Sequence, residues 1–301
     1  MQQEAELMAG SAASDTLQAA AAHAAPHGEE NIFAELLHHV QDAPKLETPF
    51  GYLYLPQFEP VEILGMSIDF SITKHVVFLW FAAALLCLTA VVVARRIARQ
   101  RVPSGFSNMV EAMALYVRDE IALYTMGARG LQYTPYLLTT FFFILLMNLL
   151  GLIPYGATST SNVNVTAGLA IIAFLMIQAS AIRAQGVRHY LAHLTGGVHW
   201  ALWPIMVPIE IIGLFTKPFA LCVRLFANMN GGHIVIVSLI GLIFLFRSYL
   251  VAIAPASFIV GIHFLEMFVA LLQAYIFTML TATFMGLGMA EAEHEGHGAH
   301  A

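Results

Sequence analysis

The sequence predicts an all-α, polytopic membrane protein, and three observations carry that prediction. Of the 301 residues, 59% are hydrophobic and 11% charged, with a mean hydropathy of +0.74, where soluble domains carry about a quarter charged residues. Several apolar stretches are long enough to cross a hydrocarbon core about 30 Å thick, and helices are the default way to pair every backbone polar group there. Arginines cluster at one end of successive stretches, as the positive-inside rule requires of a chain that crosses repeatedly.

The formal charge of −6 comes mostly from the two ends of the chain, so no basic surface suits nucleic acid. Cys87 and Cys222 each stand alone in an apolar run and read as packing residues. Residues 1–60 form an N-terminal tail that has no Lys or Arg before Lys45. It therefore lacks the positive n-region of a cleavable signal and is expected to be retained. Within it Asn31–Val40 reads as a short amphipathic helix with an Asn cap. Histidines recur in both tails, at His23, His27, His38, His39, His294, His297 and His300. None has the spacing of a ligand set, so no metal and no cofactor is assigned.

The membrane domain is expected over residues 61–289. A first span at about 72–94 ends in Arg95, Arg96, Arg99 and Arg101, which places that end in the cytoplasm and the N-terminus outside. Residues 104–126 are apolar on one helical face but too charged to span, and read as a helix on the cytoplasmic interface. A hairpin follows at 136–153 and 165–182, with an uncharged outside turn and Arg183 and Arg188 back in the cytoplasm. Two long apolar regions, 202–246 and 255–289, complete the domain before a polar cytoplasmic tail at 290–301. No internal repeat is evident, so an inverted-repeat transporter gains no support.

The region 202–246 is ambiguous by hydropathy. As one helix it would be about 67 Å long, roughly twice the membrane core. It is therefore either broken near Lys217–Gly232 or steeply tilted. Against a break, Phe219–Met229 is continuously apolar except at Arg224 and Asn228, which lie four residues apart on one helical face. Lys217 and Glu210 precede Arg224 at intervals of seven on the same stripe. An arginine at the bilayer centre costs about 2.5 to 3.5 kcal/mol on insertion scales and usually faces a cavity or a partner.

The segment Pro208-Ile-Glu-Ile-Ile-Gly-Leu-Phe-Thr-Lys-Pro-Phe-Ala-Leu-Cys-Val-Arg-Leu-Phe-Ala-Asn-Met-Asn-Gly-Gly-His233 resembles the signature of subunit a of the bacterial F-type ATP synthases. Asn148-Leu-Leu-Gly-Leu-Ile-Pro154, Asn162-Val-Asn-Val-Thr166 and Gln273-Ala-Tyr-Ile-Phe277 match in the family's order, and the resemblance covers about 61–288. It implies five membrane-embedded helices, two of them long and steeply tilted against a rotating ring of c subunits, plus the interfacial helix. It also implies a stator subunit of the bacterial inner membrane, without catalytic chemistry of its own, that couples a proton gradient to ATP synthesis. Its partners would be the c-ring, the peripheral-stalk b subunits and membrane lipid.

Two half-channels would carry protons to and from a carboxylate on each c subunit. The family's essential arginine corresponds to Arg224, which would favour the ionised ring carboxylate and block a leak between the half-channels. Gln273 matches the glutamine near that arginine. Asn162 departs from the aspartate that many members carry in this turn, which puts any role of that carboxylate in doubt.

Spacing adds to this. His263, Glu266, Ala270 and Gln273 fall at i, i+3, i+7 and i+10 on one helical face. If the last helix runs antiparallel to its predecessor with Gln273 level with Arg224, Glu266 and His233 end at nearly the same depth, about 10.5 and 13.5 Å outward. His233, Glu266, His263 and Asn228 are thus candidates for the outside half-channel, and Glu210 for the cytoplasmic one. Lys217 reads as a structural or interfacial contact. A sodium-driven form of the same subunit is the nearer alternative, against which His233 and Glu266 favour protons because both exchange them. An unrelated secondary transporter is the more distant one.

Overall fold

A computed structural model describes residues 45–48, 51–54, 61–63, 66–68, 73–99, 105–153, 156, 158–187, 190, 203–246 and 249–298. The amphipathic run expected at Asn31–Val40 lies outside them, as do His23, His27, His38, His39 and His300. Two short antiparallel hairpins come first, β1 (Lys45–Thr48) with β2 (Gly51–Tyr54), and β3 (Val61–Ile63) with β4 (Met66–Ile68). They were not read from the sequence, where strands of three or four residues leave too little alternation to see.

The rest of the protein is helical. Helix α1 (Lys74–Arg99) is the first apolar run, and α2 (Phe106–Tyr116) begins after Gly105, whose φ of 63° suits only glycine. From α2 the backbone passes through a π-helical stretch, Val117–Leu123, and a short turn, Tyr124–Met126, to Gly127 at φ 64°. That glycine separates the charged helix from the next one. A 3-10 segment, Gly127–Tyr133, then leads into α3 (Thr134–Gly151), with Pro135 in its first turn, where the missing N–H has no partner to lose. Helix α4 (Val163–Gln185) is capped by Asn162, whose side chain accepts from the Asn164 N–H at 2.9 Å, and ends at Gly186 with φ 82°. The asparagine therefore keeps the cap that an aspartate would make, without its charge.

Helices α5 (Trp203–Phe246) and α6 (Tyr249–Gly298) are continuous despite Pro208, Pro218 and Pro255. Continuity through Lys217–Gly232 decides the ambiguous region in favour of helix. Five helical stretches are long and apolar enough to cross a membrane. Most of α1, α5 and α6 presents apolar side chains outward, which is stable only where the surrounding solvent is hydrocarbon.

His233–Ile262 form one compact unit, and the remaining described residues, drawn from Ala43–Gly232 and His263–Ala301, form the other. The smaller unit comprises the end of α5 and the start of α6, where Ser238 satisfies its hydroxyl on the Ile234 carbonyl at 2.7 Å. In the larger unit the core lies around α3, through Leu137, Phe141, Ile144, Met147 and Leu150. The turn between α3 and α4 is tied to α1, since the His75 Nδ1 lies 3.1 Å from the Thr158 carbonyl and Ser159 donates to the His75 carbonyl at 2.9 Å.

Small residues let α6 approach its neighbours. A Cβ at Gly286 would stand 2.3 Å from the Thr125 backbone oxygen, and one at Gly288 2.9 Å from the Ala181 Cβ. Gln185 clasps the same end of α6 by donating to the Gly288 carbonyl at 2.7 Å. Gly286→Ala must therefore separate two backbones and is expected to destabilise by about 1–3 kcal/mol. Gly213→Ala, with nothing within 4 Å of its Cβ position, is not. The thermal midpoint of the detergent-solubilised protein, compared for the two variants, checks this difference.

Candidate functional site

Two contacts set α5 and α6 against each other within the larger unit. Asn228 donates its amide to the Gln273 Oε1 at 2.7 Å, and the Lys217 Nζ lies 5.1 Å from the centre of the Phe284 ring. Eleven residues separate the two contacts on each helix, so the pair runs antiparallel in one register over about 16 Å. Lys217 is thereby held by a cation–π contact, consistent with a structural residue.

This register differs from the one expected from the sequence. Gln273 meets Asn228 rather than standing level with Arg224, a displacement of about one helical turn. The reason is chemical: two neutral amides complete each other's hydrogen bonds, and Gln273, only 1% exposed, has to find such a partner.

Arg224 is half-buried on α5, one turn from that amide pair. Among the described residues it has no ion-pair or hydrogen-bond partner. Its neighbours Leu221, Cys222, Leu225 and Met229 are buried and fix the helix face, so the guanidinium is carried on a rigid element. An ionisable group so placed in a membrane helix marks a functional position by default.

On α6 the stripe read from the sequence points inward except at His263. Glu266 is 6% exposed, Ala270 and Gln273 are almost wholly buried, and His263, nearer the helix start, is exposed. Neither carboxyl oxygen of Glu266 has a hydrogen-bond partner among the described residues. The carboxyl packs on Gly232, where a Cβ would stand 2.2 Å from Oε1. In the sequence Gly232 marks only the end of the stretch where a break in the helix was weighed. Its role is to admit the Glu266 side chain.

The candidates divide in space as follows. Asn228 and Gln273 are bonded, Arg224 is a turn away, and Glu266 lies against Gly232 on the same pair of helices. His233 is half-buried and belongs to the smaller unit. Glu210 is half-buried on α5, fourteen residues and about 21 Å along the axis from Arg224. Sequence reasoning also missed a buried pair at the turn between α3 and α4, in which Thr160 donates to the Asn148 Oδ1 at 2.7 Å. The only signal for it was that both residues stand in or beside the matching motifs.

Long apolar helices that carry a charged and amide-bearing stripe at membrane depth define a multi-pass membrane protein with an ionisable interior face. The sequence matches the family described as ATP synthase A chain over residues 76–286. It is 49% identical over 294 residues to ATP synthase subunit a 2 of Prosthecochloris aestuarii, covering 96% of this chain and 89% of that one. Identity is 50% over 279 residues to ATP synthase subunit a of Chlorobium phaeobacteroides strain BS1, covering 91% and 81%. It is 44% over 313 residues to ATP synthase subunit a of Anaeromyxobacter dehalogenans, covering 96% and 82%. The chain belongs to the ATP synthase subunit a family.

The amide pair offers a direct test of the register. Replacing Asn228 by Leu leaves the buried Gln273 amide without its partner, and replacing both removes the need. The effects on the thermal midpoint should be non-additive, with a coupling of about 0.5–1.5 kcal/mol measured by a double-mutant cycle.

Proposed function

We propose that this protein is the stationary proton-conducting subunit of an F-type ATP synthase, in which Arg224 separates two half-channels and meets the carboxylate of each passing c subunit. The observation that carries the reading is Arg224 itself. It is a half-buried guanidinium without a partner among the described residues, on a membrane helix, in the segment that matches the family.

A fixed positive charge at that depth stabilises an ionised carboxylate brought against it, so the ring carboxyl gives up its proton as it arrives. The same charge repels a proton moving directly between the half-channels. With 100 mV worth about 2.3 kcal/mol per charge, such a leak would dissipate the energy that turns the ring. Arginine suits the task because its guanidinium stays charged under all physiological conditions. Gln273 and Asn228, bonded to each other a turn away, keep the helix pair in register beside it.

His233, Glu266, His263 and Asn228 serve the outside half-channel, and Glu210 the cytoplasmic one. The buried carboxyl of Glu266, without a hydrogen-bond partner among the described residues, supports its part, since such a carboxyl is free to exchange a proton. The N-terminus lies outside and the C-terminus in the cytoplasm of a bacterial inner membrane, with the first 60 residues as a tail, 61–289 as the membrane domain and 290–301 as a second tail. The c-ring, the b subunits and lipid are the partners. At about twice the core thickness, α5 tilts steeply against the ring.

Arg224→Ala should abolish ATP-driven acidification of inverted vesicles, and Arg224→Lys should restore little of it, because a compact ammonium does not replace the planar fork. Near-normal pumping by the alanine variant, at matched amounts of assembled complex, would overturn the assignment.

A further inference from the structure

Beyond the end of α4 the chain folds back on that helix. Gly186 ends α4 with φ 82°, and the Tyr190 N–H bonds the Gly186 carbonyl at 3.0 Å. The Tyr190 hydroxyl then reaches the last turns of α4 and donates to the Gln178 Oε1. Neither residue belongs to any motif that carried the family resemblance.

Two contacts fix how α4 faces α5 in the same unit. Thr166 Oγ1 lies 3.4 Å from Cys222 Sγ, and the Phe174 and Phe215 rings stack with centroids 5.6 Å apart. The helices are therefore antiparallel. Gln178 stands twelve residues after Thr166, and Glu210 twelve before Cys222. The register thus puts Gln178 and Glu210 at one depth, on the flank of the apolar face that the stacked rings occupy. Tyr190 is half-buried against Gln178, and its phenol is pushed above its usual pKa by burial and by the charge of Glu210.

We propose that Tyr190, held by Gln178, is a positioning residue for Glu210 in the cytoplasmic half-channel. The proposal rests on the reading of Glu210 as part of that half-channel. A hydroxyl both donates and accepts, which a carboxyl that gains and loses a proton requires. While the Tyr190 O–H points at Gln178, its oxygen can accept from a protonated Glu210 carboxyl turned towards it. When Glu210 is ionised, rotation about the phenol C–O bond turns the O–H towards the carboxylate. Glu210 thus has a hydrogen-bond partner in both states, and no proton leaves the tyrosine.

The test is ATP-driven acidification of inverted vesicles carrying the whole complex, for wild type, Tyr190→Phe, Tyr190→His, Glu210→Gln and the Tyr190→Phe/Glu210→Gln pair. Tyr190→Phe keeps the ring and removes only the hydroxyl. It should slow pumping several-fold at unchanged assembly, and Tyr190→His, which restores a group that donates and accepts, should pump faster than Tyr190→Phe. A packing role would give the opposite order, because phenylalanine is the closer fit. The pair should be no slower than Glu210→Gln alone, since the tyrosine acts through the glutamate. Wild-type pumping by Tyr190→Phe with slow pumping by Glu210→Gln, or additive losses in the pair, would overturn the role of Tyr190 and leave the half-channel intact. Wild-type pumping by Glu210→Gln would overturn the reading of Glu210 and the proposal with it.

Discussion

Inside hydrocarbon a polar side chain must complete its hydrogen bonds with another part of the protein, because water is not there to do it. The bond from Asn228 to Gln273 is where this constraint acts most visibly. Apolar helix faces in lipid slide past one another with little penalty, since lipid tails solvate them as well as a neighbour does. A hydrogen-bonded amide pair does not slide. Together with Lys217 over Phe284 it holds α5 and α6 in one register, and thereby sets the depth at which Arg224 and Glu266 are presented.

Close packing does the complementary work where no polar group is involved. Gly286 and Gly288 bring α6 against Thr125 and Ala181, and Gly232 opens room for Glu266. Glycine is used differently at Gly105, Gly127 and Gly186, where a positive φ turns the chain between helices. The result is a core around α3 from which the charged stripe of α5 is excluded, so that Glu210, Lys217 and Arg224 lie along a partly exposed line rather than in the packed interior.

Much of this was legible in the sequence. Helix α1 was marked by a long apolar run closed by arginines, and α4 by an apolar run leading to Arg183 and Arg188. Of the stripe His263, Glu266, Ala270 and Gln273 read from helical spacing, the structure buries the last three and leaves His263 exposed. What could not be read was register. Periodicity says which face of a helix is polar but not how far one helix is shifted along another, so Gln273 was set level with Arg224 and proved to meet Asn228. The π-helical stretch at Val117–Leu123 and the folded-back Tyr190 were invisible for a related reason. Both depend on contacts between segments, and neither leaves a mark in local composition.

The register of α5 against α6 underlies both the depth of the arginine and its relation to the carboxyl-bearing face, and it can be measured directly. In a background with Cys87 and Cys222 replaced by Ser, cysteine pairs at positions 228 and 273, 217 and 284, and 224 and 273 would be treated with a short thiol-specific cross-linker in native membranes. The first two pairs should link readily and the third much less. Preferential linking of 224 with 273 over 228 with 273 would contradict the register on which the arrangement of the site depends.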